Sequence, residues 1–182
     1  MRIRANALLE RAGSLALTYS QVGATASQAP PGYRFFRRRE RVSDHAADFD
    51  RAVTALRGWQ MHRGAGLTVL ADGDARLGSH VVVGFGPAPF TLLAPCRVVD
   101  DIDGDKHSGF AYGTLQGHPE SGEERFVVER TAEGVFFEVT AFSKPATPLA
   151  RLGGPLTRLV QDRVTTRYLR SLRRALAEPP GR

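Results

Sequence analysis

The residue best equipped for chemistry in this sequence is His118, which stands in the run GHPESGEE with Glu120, Glu123 and Glu124 close by. An imidazole beside carboxylates can move protons near neutral pH. His118 with Glu123 or Glu124 is therefore the candidate acid–base pair, of the kind a cyclase or hydrolase uses. The plainer reading makes Gly117, Pro119 and Gly122 a turn that His118 caps, with the glutamates in water. No second histidine stands at metal-ligand spacing from it. The run DDIDGDKH alternates carboxylates as a calcium loop does. Counted from Asp101, however, its glycine falls fourth and Tyr112 stands twelfth, where an EF-hand needs glycine sixth and glutamate twelfth. An acidic hairpin turn is the better reading. Cys96 has Arg97 beside it, which could favour a thiolate, but a lone cysteine in a strand reads as a small buried hydrophobe. GFGPAP lacks the helix of a dinucleotide fingerprint, GGPL lacks the lysine of a phosphate loop, and no G-x-S-x-G elbow occurs. The residues imply no metal and no cofactor.

A second set suits binding rather than catalysis. Tyr112, Gln161 and Tyr168 combine apolar bodies with polar handles, as the lining of a small-molecule pocket does. Trp59 and Met61 have similar character but read as core. In the terminal helix expected over 156–176, Val160, Val164, Tyr168, Leu169, Leu172 and Leu176 share one side. Arg163, Arg167, Arg170, Arg173 and Arg174 share the other. Gln161 and Thr165 break the apolar side, and a polar group facing a dry core needs a partner or costs about 1–3 kcal/mol. Gln161 thus either bonds a neighbour or faces a space that holds water or ligand.

The elements that must position these residues follow from periodicity. Residues 1–32 read as an irregular segment with a short helix over 5–12. A single domain is expected over 33–178. Its first strand spans 33–42, and Ser43 opens a helical region whose stripe is Phe49, Ala52, Val53, Leu56 and Trp59, ended by Gly64 and Gly66. From Leu67 to Ser143 the period is two. Strands are expected over 67–71, 80–85, 90–99, 108–115, 124–130 and 135–142, joined by turns at Asp72-Gly73, Asp103-Gly104 and Glu133-Gly134. Gly84, Gly86, Gly109 and Gly113 are the candidate bend points. The fold class is α+β: a curved antiparallel sheet wrapped around a long C-terminal helix, the helix-grip order.

Composition bounds the rest. The chain has 182 residues, 42% of them hydrophobic and 24% charged, which is one soluble domain rather than a disordered chain. A single cysteine excludes an intrachain disulfide. No apolar run is long enough to span a membrane, and Glu10 and Arg11 interrupt what would be the apolar stretch of a signal peptide. A cytoplasmic location fits. The net charge of +6 comes from the end of the chain: eight arginines against Asp162 and Glu178 after residue 150. A further cluster, Arg34, Arg37, Arg38, Arg39 and Arg41, is offset by the acidic middle. The arginine face of the last helix could dock an acidic partner, yet neither cluster belongs to a recognisable nucleic-acid module, so nucleic acid is not favoured.

Several runs carry a resemblance: LTYSQVGAT at 17–25, GWQMHRGAG at 58–66, APCRVV at 94–99, GFAYGTLQGHPESGEE at 109–124, TAFSKPA at 140–146 and QDRVTTRYLRSLRR at 161–174. Together they resemble the bacterial and plant family called domain of unknown function nineteen-ninety, over nearly the whole chain. That family carries no assigned activity, so it supplies no catalytic residue. Its fold is expected to be similar to the START and Bet v 1-like ligand-binding proteins. The combined expectation is a small, largely apolar ligand between the sheet and the last helix, with a homodimer as a further option.

Overall fold

In the computed structural model the described residues are 2–87, 90–146 and 154–177, the last stretch with side chains from Asp162 onward. Alternating apolar residues separated by turn residues give seven strands: β1 (Arg34–Ser43), β2 (Thr68–Ala71), β3 (His80–Phe85), β4 (Leu92–Asp103), β5 (His107–Thr114), β6 (Glu120–Thr131) and β7 (Gly134–Pro145). They form one antiparallel sheet in the order β1-β7-β6-β5-β4-β3-β2. The chain begins with α1 (Arg2–Ala12), crosses from β1 to the far edge through α2 (Phe49–Arg57) and α3 (Gln60–Gly64), and ends in α4 (Gly154–Ala177). This is an α+β helix-grip fold, as the order of elements predicts.

The main core lies between the inner face of the sheet and the helices. Val135, Phe137 and Val139 of β7 enter it from the sheet, and Tyr168, Leu169, Leu172 and Leu176 of α4 meet them. Arg163, Arg167, Arg170 and Arg174 are exposed on the other side of α4, while Arg173 reaches Glu40 at 3.0 Å. The helical wheel is thus observed for every residue whose side chain is described. The side chains of Val160 and Gln161 lie outside the described residues.

Two expectations change. The helical region from Ser43 onward is not continuous, because Trp59 takes a left-handed backbone (φ 61°) between α2 and α3. Its indole supplies the reason: it is buried, with Nε1 donating to the Gly73 carbonyl at 2.9 Å. A non-glycine residue in that region is strained by about a kcal/mol or more, which burial of a large ring offsets. The register shifts in the sheet fall at Arg41/Ser43 and Val98/Asp100 rather than at the glycines. Bulges, which insert a residue into one strand, bend the strand there. Gly113 serves close approach instead, since a Cβ there would run into the Tyr19 ring.

The charged clusters are largely spent inside the molecule. Arg34, Arg37 and Arg39 of β1 pair with Glu120, Glu138 and Glu129, and Arg38 pairs with Glu40. In the acidic run, Asp101 accepts from the buried Arg57 of α2 at 2.7 Å. Arg57 also donates to the carbonyls of Ala75 and Ile102 and to Ser108, tying α2 to the sheet. A buried guanidinium with this many acceptors is stable in place, and removing one acceptor would strand a charge.

Candidate functional site

Glu123 and Glu124 are consecutive on β6, so their side chains leave opposite faces of the sheet. That single fact divides the expected acid–base set. On the outer face Glu123 is buried, and its carboxylate accepts from the Tyr19 hydroxyl at 2.7 Å, the Gly23 amide at 2.9 Å and the Thr25 amide at 3.2 Å. The Thr25 hydroxyl donates as well. The Tyr19 ring packs edge-on against Phe142. Burial, together with this carboxylate, holds the Tyr19 phenol well above its usual range, so it stays a donor. Glu123 is therefore a clamp that fastens the LTYSQVGAT segment to the sheet.

His118 sits in the turn between β5 and β6. The Glu120 amide donates to its Nδ1 at 2.9 Å. Burial lowers its pKa to about 4, which keeps the ring neutral. It lines an open depression of about 450 Å³ with Thr18, Leu92, Gln116 and Ala146. Among the described residues no hydrogen bond joins His118 to Glu123 or Glu124.

Glu124 faces inward, toward α4. Tyr112 of β5 is its direct cross-strand partner, and the Tyr112 hydroxyl donates to Oε2 at 2.9 Å. Oε1 has no hydrogen-bond partner among the described residues, and no cation there forms an ion pair with this carboxylate. Burial pushes its pKa up to about 7; the Tyr112 hydrogen bond pulls it down and the charge of Glu120 pushes it up. The residue nevertheless keeps part of its accessible surface, whereas Tyr112 and Tyr168 beside it are 6% and 1% exposed. The Tyr168 hydroxyl interacts with that of Tyr112, and burial raises both phenols well above their usual range. They act here as neutral hydrogen-bonding groups.

The floor of this region is aromatic. The His62 ring of α3 lies 5.0 Å from Tyr168, 5.1 Å from Phe126 and 6.0 Å from Tyr112, centroid to centroid. It is fully buried, and neither ring nitrogen has a hydrogen-bond partner among the described residues. Burial, with the charge of Arg63 adding to it, lowers its pKa to about 3. Cys96 is buried on the same face, and burial pushes its thiol up, away from a nucleophilic thiolate. Thr165 of α4 is buried too.

The structure thus brings Tyr112 and Tyr168 together, adds Glu124 to them, and separates all three from His118 and Glu123. The side chain of Gln161 is outside the described residues. Sequence reading missed the Tyr112–Glu124 pairing and the buried His62. A signal for the first was available: a hairpin folded about His118 sets Tyr112 opposite Glu124. His62 stands three residues after Trp59 in GWQMHRGAG, on the side of the helical turn that faces the core.

No helix among the described residues is long and apolar enough to cross a membrane. The fold is similar to that of truncated norcoclaurine synthase from Thalictrum flavum, with a TM-score of 0.57 at 13% identity over 85% of this chain and 99% of that one. It is similar also to Ara h 8.0201, with a TM-score of 0.54 at 10% identity over 80% and 99%. These likenesses make the fold Bet v 1-like. In sequence the chain is 36% identical to a UPF0548 protein of Deinococcus radiodurans across 93% of this chain and 92% of that one. The model of the family described as Domain of unknown function (DUF1990) matches residues 18–171. That span holds both the outer clamp and the inner carboxyl, and the chain belongs to this family.

Proposed function

We propose that the protein binds a small, largely apolar molecule between the inner face of the sheet and α4, with Glu124, Tyr112 and Tyr168 at the polar end. The observation that carries this reading is the Glu124 carboxyl, which accepts from Tyr112 through one oxygen and has no partner for the other among the described residues. An acid in such surroundings costs stability that an apolar residue would not. Groups kept at that cost cluster at functional sites. The Bet v 1-like fold is consistent with the reading. Affinity would come from burying apolar ligand surface, at about 25 cal/mol per Å² before the costs of association.

The experiment is native mass spectrometry of freshly purified protein, followed by titration with an apolar fluorescent probe such as anilinonaphthalene sulfonate. A co-purifying mass of a few hundred daltons, or saturable uptake of the probe, is expected. A chain that carries nothing and takes up nothing overturns the reading. One observation favours catalysis as a second reading: a carboxyl with a pKa of about 7 exchanges protons readily at neutral pH, and Tyr112 holds it in place. On that reading Glu124, rather than His118 or Glu123, is the residue to test for turnover.

A further inference from the structure

We propose that the molecule bound at Glu124 carries a basic nitrogen, held as an ammonium against the open oxygen of the carboxylate. This deepens the ligand-binding reading above and rests on it. Among the described residues, the titratable groups that act on Glu124 are neutral or negative. β5 contributes Tyr112, α4 contributes Tyr168 and β4 contributes Cys96, all three protonated. α3 contributes His62 behind Tyr112, neutral down to low pH, and β6 itself contributes Glu120. The arginine next in sequence, Arg125, leaves the opposite face of β6 and approaches Asp100, and Arg34 of β1 pairs with Glu120.

An ionised carboxylate in a low-dielectric site needs a countercharge, and the described residues offer none. A ligand ammonium supplies it together with N–H donors for Oε1, which has no partner among the described residues. The rings of Phe126, Tyr112 and Tyr168 cluster beside this carboxyl, and aromatic faces attract a desolvated cation. A ligand carboxylate would meet repulsion from Glu124 and Glu120. A neutral ligand would gain no charge pairing.

The test uses the full chain with benzylamine, benzyl alcohol and benzoate, titrated by isothermal calorimetry at pH 6 and pH 8. Benzylamine remains an ammonium at both values. Expected at pH 8 is benzylamine binding about tenfold or more tighter than benzyl alcohol, with benzoate weakest. From pH 6 to pH 8 the benzylamine affinity rises as Glu124 ionises, while the alcohol affinity does not. In Glu124→Gln the amine-over-alcohol preference collapses to about threefold or less. If that variant fails to fold, the pH series on the natural chain still decides. Equal affinity for amine and alcohol, a preference that survives in Glu124→Gln, or tighter binding of benzoate overturns the proposal while leaving the pocket reading intact. Failure of all three, together with failure of the apolar fluorescent probe, overturns both.

Discussion

Replacing Glu124 with glutamine should stabilise the protein, and by an amount that depends on pH. The amide oxygen can still accept from the Tyr112 hydroxyl, so the hydrogen bond survives and only the charge is lost. In the folded chain the Glu124 pKa lies at about 7, against an ordinary value near 4.5. Because the folded value is raised, the folded state binds more protons than the unfolded one between those two pH values. The contribution of this group is therefore most favourable below pH 4.5 and is lost as pH rises through 7. At about 1.4 kcal/mol per pH unit between 4.5 and 7 the loss passes about 3 kcal/mol by pH 8. Water reaching Oε1 screens the charge, which makes that figure an upper bound. In a chain of this size each kcal/mol moves the melting midpoint by roughly 2–4 °C. Glu124→Gln should then melt about 4 °C or more above the natural chain at pH 8, with the gap closing toward zero at pH 4.5. Differential scanning calorimetry of both proteins across that range measures it. Taking the difference cancels the histidines, which are common to both. A gap that stays flat with pH, or a variant less stable at pH 8, would refute the assignment of a buried, countercharge-free carboxyl.

Other outcomes follow from the same geometry. His62 has a folded pKa of about 3 against an ordinary value of 6.5, so its contribution is full above pH 6.5 and lost as pH falls toward 3. Denaturant titrations should show His62→Phe removing up to about 1.4 kcal/mol per pH unit of acid sensitivity in that window. Tyr112→Phe deletes the donor to Glu124, and the carboxyl pKa followed by NMR should climb above its natural value of about 7. Glu123→Gln withdraws a charge-assisted acceptor from Tyr19, Gly23 and Thr25. It should cost about 2–4 kcal/mol and speed hydrogen exchange at the Gly23 and Thr25 amides well beyond that in β6.

Most of the fold is legible in the sequence because its signals are local. His80–Phe85 forms a strand at the expected residues, and the apolar side of α4 is readable by counting along the wheel. What escaped depends on contacts distant in the chain. Nothing near Trp59 announces a left-handed backbone; the carbonyl of Gly73 and the room for an indole set it. The sheet bends at Val98/Asp100 through an inserted residue, which leaves no compositional mark. Glu123 and Glu124 group by proximity in sequence, yet neighbours on a strand are the residues a sheet separates. Tyr112 stands out by its character alone, but its partner Glu124 lies across the hairpin. His62 was hidden for a related reason, since a histidine on an apolar helix face looks like any other core position until its two nitrogens prove unpaired.

The kink at residue 59 has a practical consequence. This chain has one tryptophan, and its indole is wedged at the junction of helix and sheet, 5.1 Å from Phe110 and 5.2 Å from His62. Intrinsic fluorescence therefore samples a single place, on the side of the sheet that Glu124 occupies. The segment pinned by Glu123 lies behind the strands, where the fluorophore does not look. Emission on one hand, and amide exchange at Gly23 on the other, give separate readouts of the two layers. Loosening one layer while the other holds would register in only one of them.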